Sequence, residues 1–292
     1  MPLSLSQGTE LSPGFMVIHG NRLETLRDLA VEWLRTHPLG PLEDEVILVQ
    51  SNGISQWLKL ALAADPPAGA GIAAAMDVTL PARYLWQAYR TVLGSEAVPP
   101  ASPLDKPRLI WRLMRLLPEL TDDETFAPLA RFLADDDDLR KRHQLAERLA
   151  DLFDQYQVYR ADWLAAWAEG RDELIDARGQ TRPLAEDQCW QPALWRRLRD
   201  DIGEGGLPTS RAWVHTRFLE ACRELTPDTL NKETRPAGLP RRVVVFGISS
   251  LPRQTLEALA AVSKVTQVLL CVHNPCRHYW ADIIEHKDLL RA

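Results

Sequence analysis

The chain has 292 residues, a net charge of −6 and an apolar fraction of 46%, with ten tryptophans, so it can bury a sizeable core as one large domain or two. The acidic balance excludes nucleic-acid binding by bulk charge, and any such contact must use local basic or neutral polar surface. Four cysteines without framework spacing fit reduced thiols in a cytosol, and no apolar run approaches the roughly 18–20 residues that span a bilayer.

Residues 1–14, MPLSLSQGTELSPG, lack a basic segment and a long apolar core; they read as a disordered extension rather than a signal peptide. Phe15–His19 reads as a strand and Gly20-Asn21-Arg22 as a turn. Leu23, Leu26, Leu29, Ala30, Trp33 and Leu34 then form the stripe of a helix ending near Thr36-His37-Pro38. A phosphate-binding loop in that turn would need glycines and Lys-Ser/Thr, because backbone N–H groups and a lysine cradle the phosphates. The turn is too short, and GxxxxGK[ST] occurs nowhere in the chain. If the sheet is of the nucleotide-hydrolase kind, its nucleotide site is empty.

Val46–Val49 is a short β-branched run, as in a strand buried on both faces. Ser51, Asn52 and Gly53 are turn and cap residues, and Ile54, Trp57, Leu58, Ala61 and Leu62 have helical spacing. Gln50, Asn52 and Gln56 are thus expected where a parallel strand hands over to a helix, the edge where open α/β sheets bind ligands. Their uncharged amides suit an extended polar ligand and are poor acid–base catalysts. Leu80 and Trp86 flank the next handover. An indole there suits base stacking, whereas the spacing Leu85, Ala88, Tyr89, Val92 also fits Trp86 packed in a core.

A Pro-rich linker at 94–103 precedes an almost wholly helical stretch: Leu104–Leu117, Phe126–Leu133, Leu139–Tyr159, Asp162–Glu169, Cys189–Ile202 and Ser210–Leu225, with loops at 170–188 and 226–240. Strand–helix alternation returns with Arg242–Gly247, Pro252–Val262 and Val265–Val272. The expected architecture is an α/β domain from 15–95 and 240–292 with a helical domain, 96–239, inserted. The sheet is expected to be incomplete at the C-terminus.

Within Leu139–Tyr159 the stripe is Leu145, Leu149, Leu152, Phe153, Tyr156 and Tyr159. Asp151, Asp154 and Gln155 share a neighbouring face at i, i+3 and i+4. Carboxylates accept from the cytosine amino group and Gln pairs with adenine; equally, these residues fit a solvated face or partners for Arg148 or Arg160. Arg108, Arg112 and Arg115, and Arg196, Arg197 and Arg199, form basic clusters that fit solvated helix faces. Asp135–Asp138 reads as helix N-terminal dipole complementation rather than a metal site. Cys271-Val-His-Asn-Pro-Cys276-Arg-His278 lacks the separated ligand pairs of a zinc site and reads as a turn after a strand. No Ser-His-Asp or Cys-His catalytic arrangement is present.

Several segments carry a resemblance: VIHGNRLETL, VILVQSNGISQWLKLAL, IAAAMDVTLPARYLW, LADLFDQYQVYRADWLAAW (149–167), WQPALWRRL (190–198), RRVVVFGISSLPRQTLEAL (241–259) and HNPCRHYWADI (273–283). In this order they resemble the gamma-chain (RecC) family of exodeoxyribonuclease V, over about residues 16–283. DLFDQYxVYRxDWL and FGISxLPxxxLxAL are the most specific. Family members are much longer, so the chain looks like an N-terminal piece. The resemblance implies a degenerate superfamily 1 helicase-like, P-loop NTPase-like parallel-sheet domain with a helical insertion and no catalytic site, cofactor or metal of its own. It implies partners, the beta chain (RecB) and alpha chain (RecD), which use ATP and Mg²⁺, and DNA as a duplex end and single strand. It further implies that the chain guides the 3′-ended strand and senses Chi, a short regulatory sequence. The family positions lining that channel match Gln50, Asn52, Gln56, Leu80, Trp86, Asp151, Leu152, Asp154, Gln155, Arg160 and Arg211. Asn52 departs from a threonine in the best-known member, so the recognised base can differ. Two rival readings are a protein-binding scaffold without base readout and an active ATP-dependent helicase.

Overall fold

The computed structural model describes residues 11–40, 42–134, 139–176, 178–203, 211–225, 236 and 238–274. Most of the expected N-terminal extension, the Asp135–Asp138 run, the loop over 226–235 and everything from Pro275 onward, including Cys276 and His278, lie outside them. In chain order the elements begin β1 (Gly14–Gly20), α1 (Leu23–Thr36), β2 (Glu45–Val49), α2 (Asn52–Ala63), β3 (Met76–Thr79) and α3 (Pro81–Leu93). There follow α4 (Lys106–Leu120), α5 (Ala127–Leu133), α6 (Arg140–Tyr159), α7 (Ala161–Ala168), β4 (Glu173–Ile175), β5 (Thr181–Pro183), α8 (Trp190–Ile202) and α9 (Arg211–Arg223). The described residues end with β6 (Arg242–Phe246), α10 (Arg253–Val262) and β7 (Gln267–His273). The chain divides into two compact units: Met1–Thr91, Cys222–Leu251 and Thr255–Ala292 form one, and Val92–Ala221 with Pro252–Gln254 the other.

The first unit is α/β. Its five strands run in the order β1-β7-β6-β2-β3, every pairing parallel. Val46–Val49 of β2 and Val243–Phe246 of β6 are buried, which is why both read as unbroken apolar runs instead of alternating ones. Alternate residues face opposite sides. Ile47, Val49, Val244, Phe246, Leu269 and Cys271 pack with Leu26, Ala30, Val31 and Leu34 of α1 and Leu58 and Leu62 of α2. Val46, Leu48, Val243, Val245 and Val268 are buried on the other face. The connection from β2 through α2 goes outward to β3, and that from β6 through α10 goes the opposite way to β7. Right-handed crossovers therefore put α2 and α10 on opposite faces of the sheet.

Among the described residues, one charged group lies in this core. Arg242, fully buried at the start of β6, donates from Nε and Nη2 to the Glu45 carboxylate at the start of β2, and from Nη1 to the His37 carbonyl at 2.9 Å. This fork ties the two central strands together at their N-terminal ends.

The second unit is helical, around Leu109, Leu113 and Leu117 of α4, Leu149 and Phe153 of α6, Trp167 of α7, and Leu194 and Leu198 of α8. The high tryptophan count has a physical use here: each indole pairs a large apolar body with one N–H donor. Trp195 stacks on Phe153 with centroids 5.7 Å apart and donates to the Leu164 carbonyl; Trp163 and Trp167 donate to the Ile175 and Glu173 carbonyls. Those last two bonds hold β4, which pairs antiparallel with β5 inside the segment 170–188 that reads as loop in the sequence. Three-residue strands carry too little alternation to register as such, and tertiary bonds support them.

The apolar stripe of α6 also differs from its sequence reading. Ala146, Leu149, Ala150, Phe153 and Gln157 are buried, while Leu152 is half-buried and Tyr159 is 61% exposed. The inward face is set partly by small residues, which a search for large apolar side chains passes over.

The basic clusters are solvated only in part: Arg108, Arg115 and Arg197 are exposed, while Arg112, Arg196 and Arg199 are half-buried and bonded inside this unit. Arg112 and Arg115 both bind the Asp201 carboxylate. Arg196 pairs with Asp172 and donates to the Trp167 carbonyl, and Arg199 donates to that of Ala168. Arg115 stays 55% exposed in its pair. Burial pushes the Asp201 carboxyl up, but the hydrogen bonds from Arg115 and Arg112 outweigh it and leave it below the usual carboxylate value. A depressed folded-state value means stabilisation that is complete above the unfolded value of about 4 and is lost as pH falls through the folded one. Asp201→Asn is expected to cost about 1–3 kcal/mol at pH 7. In urea titrations across pH 2–7 the gap from the parent should close only on the acidic side; a gap constant down to pH 2 would remove the pair as its cause.

Candidate nucleic-acid interface

In the α/β unit, Gln50, Asn52, Gln56 and Leu80 lie just after the C-terminal ends of β2 and β3. Ser51 caps α2, its hydroxyl accepting from the Ile54 N–H at 3.4 Å. The cap fixes Asn52 and Gln56 on the first turns of α2, directly after Gln50 at the end of β2, and all three are exposed. Leu80, 52% exposed, stands between β3 and α3. Trp86 is half-buried on α3, its ring edge-on to the buried Tyr89 at 5.6 Å, with the Arg90 guanidinium 5.9 Å from its centroid. The packing on Tyr89 orients the indole without covering it.

The strand order gives this edge its character. β2 and β6 are neighbours, and the chain leaves them in opposite directions, so their C-terminal ends form the switch point at which open α/β sheets bind ligands. A cleft of about 220 Å³ at the opposite, N-terminal side is lined by Glu43, Asp77, Tyr84 and Arg241 and by none of the expected interface residues.

In the helical unit, Asp151 accepts from Lys106 Nζ at 2.8 Å and from Gln155 Nε2 at 3.4 Å. The Lys106 bond holds the Asp151 carboxyl below its ordinary value, so it stays an ionised acceptor near neutrality. Asp154 pairs with Arg211 at 3.1 Å. The Asp partners are therefore Lys106 and Arg211, not Arg148 or Arg160 through an ion pair. Arg160 pairs with Asp162, donates to the Ile175 carbonyl and lies over the Trp163 ring at 3.8 Å. Gln155 is exposed and Leu152 half-buried. The unit thus joins Asp151 with Gln155 and Asp154 with Arg211, and turns Arg160 toward β4. Lys106 was missed in the sequence, since nothing local marks a partner 45 residues away.

Exposed amides at a sheet edge can exchange donors and acceptors with base edges, and ionised carboxylates can accept from exocyclic amines. Among the described residues, no three or more His, Cys, Asp or Glu are grouped to hold a metal ion, and no helix is long and apolar enough to cross a membrane. Fold and surface together define an open parallel-sheet α/β protein with a polar switch-point edge and a separate helical unit.

A family model described as "RecC, N-terminal domain" matches residues 15–292. The RecBCD enzyme subunit RecC of Escherichia coli K12 is 42% identical over 269 residues, 91% of this chain and 22% of that protein. The same subunit of Haemophilus influenzae is 34% identical, covering 95% of this chain and 25% of the relative; that of Mycolicibacterium smegmatis is 27% identical over 94% and 23%. The chain belongs to the RecC family and corresponds to its N-terminal domain. It spans about a quarter of the length of these relatives.

Proposed function

We propose that this chain is the part of a RecC-type subunit that lines a DNA channel, guiding the 3′-ended single strand and recognising Chi during double-strand break repair in the cytoplasm. Its fold is then a helicase-like superfamily 1 sheet that has lost its nucleotide site. ATP, Mg²⁺ and catalysis belong to the RecB and RecD partners. The observation that carries the reading is the exposed, uncharged row Gln50, Asn52, Gln56 at the switch-point edge. Amides there can read base edges without the strong phosphate grip that would stall a moving strand. Trp86 offers a partly open ring for stacking, and Asp151, Asp154 and Gln155 offer acceptors and an amide on α6.

Photocrosslinking tests this. With a photoreactive group placed in turn at Gln56, Trp86 and Asp154 in the assembled three-subunit complex, all three are expected to capture the 3′-ended strand. Full assembly with no capture would reject the channel.

A scaffold reading has one observation in its favour: Asp151, Asp154, Arg160 and Arg211 all have partners within their own unit. Under it, α6 and its neighbours use these pairs for structure, and the crosslinks from Asp154 vanish.

A further inference from the structure

The motif Phe246-Gly247-Ile248-Ser249-Ser250 is among the most specific in the chain, yet the expected interface leaves it without a role. Its place in the fold supplies one. β6 lies beside β2 with Val49 level with Phe246, so Gln50 and Gly247 are the residues at which the chain leaves two paired neighbouring strands. The two connections then diverge to opposite edges of the sheet, the arrangement at which open α/β sheets form a ligand crevice. One wall is Gln50–Asn52 with the first turn of α2. The other is 247–250, where Ile248 is buried and Ser249 and Ser250 are exposed.

Gly247 sets the separation of the walls. Its φ is +65°, a conformation that side chains resist, and a Cβ there would stand 2.9 Å from Ile54 Cγ2 on α2. The loop after β6 therefore lies hard against the helix turn that carries Asn52 and Gln56.

We propose that Ser249 and Ser250 are the second wall of the strand-binding crevice and contact the same stretch of single-stranded DNA as Gln50, Asn52 and Gln56, with Gly247 as the positioning residue. This rests on the single-strand reading above. Hydroxyls donate and accept, so they suit phosphate and sugar oxygens on one side of a strand whose bases meet the amides on the other. Backbone contacts of this kind fix register and carry no sequence information themselves.

The test uses the assembled complex of the full-length chain, with a photoreactive group in place of Ser250 in one preparation and of Gln56 in another. Both are expected to capture the 3′-ended strand, at the same or adjacent nucleotides. Capture from Gln56 with silence from Ser250 overturns the second wall and leaves the channel intact. Silence from both removes the channel reading, and this inference with it. Ser249→Ala/Ser250→Ala is expected to lower the capture yield at Gln56 about three- to tenfold, the worth of one or two hydrogen bonds. An unchanged yield overturns the contact. Gly247→Ala, with both serines present and the melting temperature measured alongside, is expected to lower the yield in the same direction; an unchanged yield in a folded variant overturns the positioning role.

Discussion

If the chain lines the proposed DNA channel, Gln56→Ala and Asp151→Ala, each in the assembled enzyme, are expected to blunt or shift the response to Chi while leaving ATP-driven unwinding at the parental rate. A well-made contact to a base edge discriminates by about 1–3 kcal/mol, so each change should weaken recognition roughly 5- to 150-fold. Neither should unfold the chain. Gln56 is exposed, and Asp151 belongs to a half-exposed pair with Lys106, a class worth about 0–1 kcal/mol. Lys106→Met separates the explanations, because it removes the pair and keeps the Asp151 carboxylate. If Asp151 reads a base, Lys106→Met keeps the Chi response. If Asp151 matters only as the partner of Lys106, both variants behave alike. Unwinding lost together with the Chi response would sink the recognition role and point to folding.

The largest effect on stability is expected from Glu45→Ala. It strips the carboxylate from a fully buried Arg242, whose guanidinium then keeps only the His37 carbonyl among these contacts. Removing one partner of a buried ion pair costs about 3–5 kcal/mol, because the remaining charge sits uncompensated away from water. Urea unfolding should show the loss as a lower midpoint at unchanged slope. Replacing both partners, Glu45→Leu with Arg242→Met, should recover most of it, since an apolar pair of similar size has no charge to desolvate. A Glu45→Ala loss below about 1 kcal/mol would mean that water reaches Arg242.

The switch-point edge was legible in the sequence because each of its parts is local. A β-branched run, a Ser cap three residues before the N–H it binds, and helical spacing from Ile54 all lie within 18 residues, and the structure has β2, the Ser51 cap and α2 at those positions. The α6 stripe was legible only in part, since it counted large side chains and the packed face uses Ala146, Ala150 and Gln157. The β4–β5 hairpin was not legible: its strands have no pattern of their own, and indole N–H groups from α7 hold β4. The basic helix faces were legible only in part, because an arginine looks the same in sequence whether it faces water, as Arg108 and Arg197 do, or binds Asp201, as Arg112 does.

By itself the sequence determined the longer elements and their order, the missing phosphate loop and the family. Periodicity, caps and turn chemistry act over a few residues, and the family motifs are read directly. Only the tertiary structure decided which strands are neighbours and which charges meet. β6 joins β2 although 192 residues of chain intervene between them, and Glu45 with Arg242, Arg112 with Asp201 and Lys106 with Asp151 are 197, 89 and 45 residues apart. Such pairings follow from how apolar faces are buried throughout a unit. The carboxylate nearest each arginine or lysine is set by that packing, and no short stretch of chain encodes it.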